Sequence, residues 1–518
     1  MKIDNSKREI TNTHLLFISF AAIFGSGWLF APLYAAQIAG PASLFAWILG
    51  AVMSAVIGIT MAEVVVLFPK TGGLSQISKV THGDFLSLSI TVFNLLVFII
   101  LPAIEVRAVL QYLSSYFKII VISENSVSIW SYAFAFFLLA LITLVNLYGA
   151  RITATLTKAV VLFKLVTPIL LCGSFLYTLG SRGTFDHSRL AISTIPWSQV
   201  FQAIATSGII FSFNGFNQAT LFAGEAKNPQ KSVPFAILGS LLISGLLYFL
   251  IQYVFLMAVP KESFINGWDK LSFSGDEGPF AGIAALLGLG WLLTIIYADA
   301  VISPLGTAFA YASAAPRLFH VLFQDLPEKG RFLRPNRYGI SPAIIGITFS
   351  LECLTFIFLP SLKAMIALLV AAFVLCYTVA PASLLALRRT QPELHRPFRV
   401  HMAPLISLLS LFFSNLMVFS CGWVALRNLL YVSLGLVSVY LIFHLKKHEM
   451  KVLQKKLKGS VWFLFQLCFI GALCWYNHHF PLPFLGVFIG IGGISLIALA
   501  LSQFLELKPE LNEPLIIN

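Results

Sequence analysis

Stretches of about 20 mostly apolar residues, the length a helix needs to cross the hydrocarbon layer of a bilayer, recur from Leu15 to Phe504. Only short charged or Gly/Pro-rich breaks separate them. Few folds survive that constraint. The runs are continuous and lack the polar–apolar alternation of membrane strands, so they are expected to be helices. Composition agrees: 58% of the 518 residues are hydrophobic and 11% are charged, against roughly 25% charged in an ordinary soluble domain. A soluble fold of this size would lack the polar surface it needs. The first apolar run follows a polar, partly basic start and leads straight into the rest, which reads as a membrane helix and not a cleaved leader. The expected fold class is an all-α polytopic protein of the lipid bilayer.

Counting the runs predicts about 14 transmembrane helices, at about 15–39, 42–67, 86–117, 128–148, 154–180, 197–223, 234–259, 280–315, 342–359, 363–387, 403–423, 428–445, 459–477 and 482–504. With the N-terminus cytoplasmic, 25 of the 34 Lys and Arg fall on the cytoplasmic side and 7 outside, with Arg107 and Lys164 inside spans. That is the positive-inside bias, and it predicts both termini in the cytoplasm of a plasma (inner) membrane protein. The net charge of +13 thus reports topology and implies no nucleic acid partner. The basic clusters at Arg317–Arg337, Arg388–Arg399 and Lys446–Lys458 share one side. Three regions are expected: a core of spans 1–10 over residues 1–400, spans 11–12 over 401–446, and a basic loop plus C-terminal hairpin (spans 13–14) over 447–518.

Nothing in the chain reads as catalytic. No Gly-rich phosphate loop with Lys-Ser/Thr is present, which argues against ATP hydrolysis. The ten histidines lack metal-ligand spacing, and the six cysteines are scattered, mostly within apolar runs. The expectation is no enzyme, no metal and no cofactor.

Two spans are interrupted. Span 1 contains Phe24-Gly25-Ser26-Gly27-Trp28, and span 6 contains Phe211-Ser212-Phe213-Asn214-Gly215-Phe216-Asn217-Gln218. Each glycine weakens a helix by about 1 kcal/mol relative to alanine. Unwinding frees backbone N–H and C=O groups, which is tolerable in a membrane only where they line a cavity. The start of a half-helix suits a carboxylate, and freed carbonyls suit an ammonium. Such a site would read both ends of a zwitterionic amino acid. The two interruptions open spans 1–5 (about 14–180) and spans 6–10 (about 197–388). An odd number of helices per half inverts the second repeat, and matched interruptions in inverted halves point to a transporter binding site. Close helix packing at small residues is the alternative for either glycine segment taken alone.

These segments resemble the amino acid–polyamine–organocation superfamily. Gly25-Ser26-Gly27 is similar to its unwound first helix, and Ala62-Glu63 followed by Phe68-Pro69-Lys70-Thr71-Gly72-Gly73 is similar to its proline and Gly-Gly loop. Gly224-Glu225-Ala226-Lys227-Asn228-Pro229, running on to Pro234, resembles its most specific stretch. Asp299 to Pro304, then Ala315-Pro316-Arg317, is similar to its eighth helix and exit. The resemblance spans about residues 14–445 and is silent on the last hairpin. It implies a five-plus-five inverted-repeat fold with helices 1 and 6 discontinuous, alternating access, and amino acids or amines as substrates. By that resemblance Gly25, Ser26 and Gly27 hold the substrate carboxylate, Phe213, Asn214 and Gly215 supply carbonyls to its amino group, and Phe211 and Phe216 are aromatic walls. Where many members carry an acid after the span 6 glycine, this chain has Phe216-Asn217, so no role of that acid transfers.

Charges inside spans need a reason, because each costs several kcal/mol at mid-bilayer. Glu63 sits near the cytoplasmic end of span 2, where solvation is one explanation. Glu105 and Arg107 are two apart and do not face each other on a helix; both are candidates to contact a substrate side chain, Arg107 as partner for an acidic one. Lys158 reads as the cytoplasmic start of span 5. Lys164 lies about ten residues into that span, beyond easy snorkelling, and burial penalises a lysine's charged form. The resemblance points the same way: some proton-coupled members have a fifth-helix lysine in the space of a sodium ion. Lys164 is thus the expected proton-coupling residue, with Asp299, Ser303 or span 1 carbonyls as purely structural partners instead. Asn94, Asn146, Asp299 and Ser303 otherwise read as packing hydrogen bonds. The expected function is secondary active transport of an amino acid, with a proton as coupling ion. An exchanger, a sodium-coupled carrier and a non-transporting amino acid sensor are the alternatives.

Overall fold

In the computed structural model the described residues are 10–68, 73–114, 116–117, 119–122, 127–147, 150–192, 195–275, 278–323, 341–359, 361–445 and 457–506. Pro69 to Gly72, most of the Arg317–Arg337 cluster and 446–456 of the basic loop lie outside them, and so does the Lys158 side chain. Among the described residues the architecture is helical, with 3-10 turns and two isolated bridges. Within those residues ten helical stretches are long and apolar enough to cross a membrane, and three shorter apolar helices accompany them.

The first apolar run is two helices, α1 (Asn12–Ile23) and α2 (Gly27–Ala39), and α3 (Ser43–Leu67) follows. Next come the polar α4 (Leu74–His82), then α5 (Asp84–Ser114), α6 (Ile129–Leu147) and α7 (Ala150–Ser181). The run at 197–223 is three pieces, α8 (Trp197–Thr206), α9 (Ile209–Phe213) and α10 (Gln218–Leu221), leading to α11 (Pro229–Ala258). Asn228-Pro229 starts α11 because proline at a helix's first position loses no needed N–H. The run at 280–315 divides into α12 (Pro279–Leu286) and α13 (Gly290–Phe323), where Gly288 takes φ +71°. The helices α14 (Pro342–Phe358), α15 (Leu362–Tyr377), α16 (Val379–Thr390), α17 (Ala403–Ser420) and α18 (Trp423–Leu445) complete the body. The last two are α19 (Val461–His479) and α20 (Phe484–Phe504).

Helices α5 and α13 are antiparallel neighbours: Phe98 meets Tyr311 at 5.2 Å between ring centroids, and Tyr112 meets Tyr297 at 5.9 Å. On the other flank α3 packs on α11, where Trp47 Nε1 donates to Gln252 Oε1 at 2.8 Å and Gly58 leaves room for Ile237. Ile10, just ahead of α1, is tied down as well. Ile10 N donates to Glu225 O at 3.1 Å, and Lys227 N donates to Ile10 O at 2.9 Å. The Glu225–Pro229 stretch therefore anchors the segment entering α1. The facing ends of α1 and α2 are left enclosed by α5, α7, α9, α11 and α13.

Candidate functional site

A helix end leaves its last four carbonyls without intrahelical donors, and at the end of α1 each meets something particular. Phe20 O accepts from Phe24 N at 3.1 Å. Ala21 O accepts from Lys164 Nζ at 3.0 Å. Ile23 O accepts from Tyr248 Oη at 3.1 Å and from Gly25 N at 3.1 Å. Ala22 lies against Gly215, where a Cβ would come within 2.5 Å of its carbonyl carbon. One residue on, Phe24 O accepts from Thr307 Oγ1 at 3.4 Å, and Thr307 Oγ1 in turn accepts from Lys164 Nζ at 2.6 Å. A cation at a helix C-terminus is electrostatically favourable. The Lys164 amine thus joins α7 to the end of α1 and to α13, fully within the protein.

The start of α2 faces the opposite charge. Ser26 N donates to Glu105 Oε2 at 3.0 Å, and the other oxygen, Oε1, lies so close to Gly25 that a Cβ there would collide with it. Glu105 is wholly buried, and a carboxylate at a helix N-terminus is the favourable arrangement. Thr307 Oγ1 would stand 3.2 Å from the same Cβ. Lys164, Thr307, Gly25 and Glu105 therefore form one contiguous group, and the two ionisable side chains interact electrostatically.

The two glycine segments meet crosswise. Gly27 abuts Ser212, whose Cα would be 3.1 Å from a Cβ at position 27, while Gly215, at φ +123°, abuts Ala22 and Ile23. Tyr248 Oη sits between both sides, its single hydrogen shared between Ile23 O at 3.1 Å and Ser212 O at 3.0 Å. Its ring stacks on Phe24 at 4.8 Å and meets Phe213 edge-on at 5.4 Å. Phe213 also packs on Trp47, and Phe216 on Tyr377. Phe211 is buried in α9. Asn214 Oδ1 accepts from Tyr377 Oη at 2.9 Å.

Arg107 is not brought to this junction. Two positions from Glu105, it turns to α14 with its guanidinium carbon 5.9 Å from the Phe356 ring centroid. Asp299 accepts from Ser303 Oγ at 2.8 Å, with Trp28 and Thr167 facing the same carboxyl. Glu63 is not solvated at its helix end. It is buried, and Arg388 donates to it through Nε at 2.9 Å and Nη2 at 2.7 Å. Sequence reasoning missed Thr307, Tyr248, Tyr311 and Tyr377. A signal existed for two of them: Asp299, Ser303, Thr307 and Tyr311 recur every four residues, which makes one buried polar stripe along α13.

Comparison with known proteins follows the same lines. The family described as Amino acid permease matches residues 11–440. Two relatives from Bacillus subtilis (strain 168) are each 30% identical to this chain. One, named glutamate/serine transporter AimA, aligns over 89% of this chain and 86% of its own length. The other, named aspartate-proton symporter, aligns over 89% of both. Among solved structures, a mutant of the Eremococcus coleocola manganese transporter shares the fold with a TM-score of 0.50 at 12% identity, over 95% of this chain and 96% of that one.

Proposed function

Because this chain belongs to the amino acid permease family, we propose that it carries an amino acid across the membrane by proton-coupled symport, with Lys164 as the coupling group. The observation behind this is the Lys164 amine bound between the last turn of α1 and Thr307 of α13. In the same reading the fold is a five-plus-five inverted repeat of fourteen spans with both termini cytoplasmic. There α1–α2 and α8–α10 act as interrupted helices 1 and 6, and the α1–α2 junction is the substrate site.

The chemistry runs through helix ends. A substrate carboxylate suits the start of α2 at Gly25, Ser26 and Gly27, where Glu105 now accepts the Ser26 N–H. Substrate and Glu105 then compete for one donor. The substrate ammonium suits carbonyls of Phe213, Asn214 and Gly215, and Phe211 and Phe216 wall the space. A charged Lys164 holds the end of α1 in its present position; a neutral one has less hold on Ala21 O. Proton transfer at Lys164 thereby biases which side of the junction opens. The relatives' names, a glutamate/serine transporter and an aspartate-proton symporter, favour acidic or small polar amino acids as substrates.

Uptake of labelled amino acids into proteoliposomes tests the reading, with a pH gradient, with a sodium gradient, or with internal amino acid alone. Accumulation driven by the pH gradient is the expected result. Accumulation that needs sodium or internal amino acid instead would replace symport with the carrier or exchanger alternative. Lys164→Ala should still bind substrate yet lose uphill uptake, and undiminished accumulation in that variant would remove Lys164 from the mechanism.

A further inference from the structure

Beside the helix ends lies a second polar group, whose side chains the mechanism above does not use. Asn214 and Gln218 flank the bend between α9 and α10, Tyr311 comes from α13, and Tyr377 ends α15. All four are at most 5% exposed. Tyr377 Oη donates to Asn214 Oδ1 at 2.9 Å, which fixes the amide and turns Asn214 Nδ2 the other way. Gln218 adjoins the Tyr311 hydroxyl, and Tyr311 and Tyr377 are near enough to interact.

By strict hydrogen-bond geometry Asn214 Nδ2, Gln218 Nε2 and Tyr311 Oη make no bond, although Gln218 lies close enough to the Tyr311 hydroxyl for one of its hydrogens to be placed there. Two of them can only donate, and the third can donate. A buried donor left unpaired costs more than a formed hydrogen bond contributes. Pairing Gln218 with Tyr311 still leaves the Asn214 amide and the Tyr311 hydrogen without an acceptor, on two helical pieces, which packing alone does not explain. None carries charge. The space at the Asn214 end is shut: a cavity of about 10 Å³ touches Asn214, Phe213, Phe216 and Tyr377, with neither Gln218 nor Tyr311 in its wall, and that is about the space of one water. Any larger occupant enters when the helices part.

We propose that Asn214, Gln218 and Tyr311 form the specificity set for the substrate's side chain, selecting amino acids whose side chain ends in an oxygen acceptor against apolar ones of the same shape. This rests on the amino acid transport reading. Aspartate, asparagine and leucine share one branched outline and differ in what the branch offers: two acceptors with charge, one acceptor without charge, or none. A site built of buried donors rejects the analogue without acceptors by a large factor, because each donor stays unpaired in that complex. Tyr377 is a positioning residue, since it orients the Asn214 amide and offers its own hydrogen to Asn214 Oδ1.

The test is competition by these three amino acids, with alanine as a fourth, against uptake of whichever labelled amino acid the wild-type protein carries. Aspartate or asparagine should outcompete leucine at least 100-fold, and the ranking of those two reports whether the preferred acceptor is a carboxylate. Tyr311→Phe and Gln218→Leu, close in shape to the originals, should each shrink that ratio at least tenfold while alanine competition moves less than threefold. Leucine competing as well as asparagine in the wild type, or a ratio unchanged in both variants, would overturn the donor assignment and leave amino acid transport standing. A wild-type protein that carries no amino acid at all would overturn both. If Tyr311→Phe does not assemble, thermal stabilisation of the purified Gln218→Leu protein by asparagine and leucine gives the same ratio.

Discussion

At the scale of single residues, the positions that matter are those where one more atom has nowhere to go. Gly215 takes φ +123°, and a Cβ there would stand 2.5 Å from the carbonyl carbon of Ala22 and 2.6 Å from the nitrogen of Ile23. Both are backbone, so no side chain can swing aside. Backbone strain of this kind costs about 1–3 kcal/mol before any collision is counted. Gly215→Ala should therefore lower the unfolding midpoint of the purified protein by several degrees and abolish uptake. Gly173 is the control, because nothing lies within 4 Å of its Cβ position in α7. Gly173→Ala should be neutral or slightly stabilising, since alanine is favoured in a helix by up to about 1 kcal/mol. Equal effects at the two positions would refute the argument. Both glycine segments and Lys164 were legible in the sequence, because a glycine pair or a lone charge stands out inside an apolar run. The tyrosines were not. Tyr248 and Tyr377 look like packing residues until their hydroxyls are seen on Ile23 O and Asn214 Oδ1. Glu105 was visible as a charge, but its partner is a backbone N–H, which no residue pattern names.

At the scale of elements, the apolar runs located the long helices to within a few residues, and glycines marked the breaks in spans 1 and 6, but the breaks in the runs at 280–315 and 363–387 went unread. The run at 363–387 is interrupted at Thr378, between α15 and α16, with Pro381 three residues on. The helix α4 was passed over because its composition is polar. What joins elements is equally hidden, and Glu63 is the clearest case. It lies about one turn before the end of α3 with 1% exposure, and its partners come more than 320 residues later. Arg388 makes a two-pronged pair with it, Val400 N donates to Oε2 at 2.6 Å, and Arg396 Nε lies 3.6 Å from Oε1. The clasp fixes the segment between α16 and α17 onto α3. Removing one partner of a buried pair strands the other, at about 3–5 kcal/mol; Arg388 is 22% exposed, so solvent relieves part of that. Glu63→Ala and Arg388→Ala should each destabilise by about 2 kcal/mol. Their combination should cost well under the sum, a coupling of about 1–3 kcal/mol. A double-mutant cycle on thermal midpoints measures it, and strict additivity would mean that the pair contributes nothing.

At the scale of the whole molecule, the last two helices are built into the body and not appended to it. Asn415 Nδ2 of α17 donates to Ser495 Oγ of α20 at 2.9 Å, and Gln466 Nε2 of α19 donates to Thr378 Oγ1 at 3.0 Å. The docking centres on His82, at the end of α4. Its Nε2 is 3.2 Å from Ser502 O, and its Nδ1 is 2.8 Å from Thr81 Oγ1. Trp462 packs on the ring at 5.5 Å. Gly459 approaches the His82 carbonyl so closely that a Cβ would collide with it. Nothing in the sequence linked residue 82 to residue 502, because a lone histidine in a polar loop carries no such information. Burial holds the His82 imidazole neutral, with its pKa lowered from 6.5 to about 4. The sign follows from proton counting. Between pH 6.5 and 4 the unfolded chain binds a proton at His82 that the folded chain refuses, so stability is whole above pH 6.5 and falls as pH drops. At about 1.36 kcal/mol per pH unit, the loss approaches 2 kcal/mol at pH 5 and levels off below pH 4. The hairpin should therefore loosen first on acidification, read as faster amide hydrogen exchange at the α4, α19 and α20 contacts between pH 7 and 5, after correction for the intrinsic rate. His82→Gln keeps a hydrogen-bonding side chain without a titrating one, and it should flatten that pH dependence at some cost in stability at pH 7. A pH dependence of the same steepness in His82→Gln would assign the effect to another group.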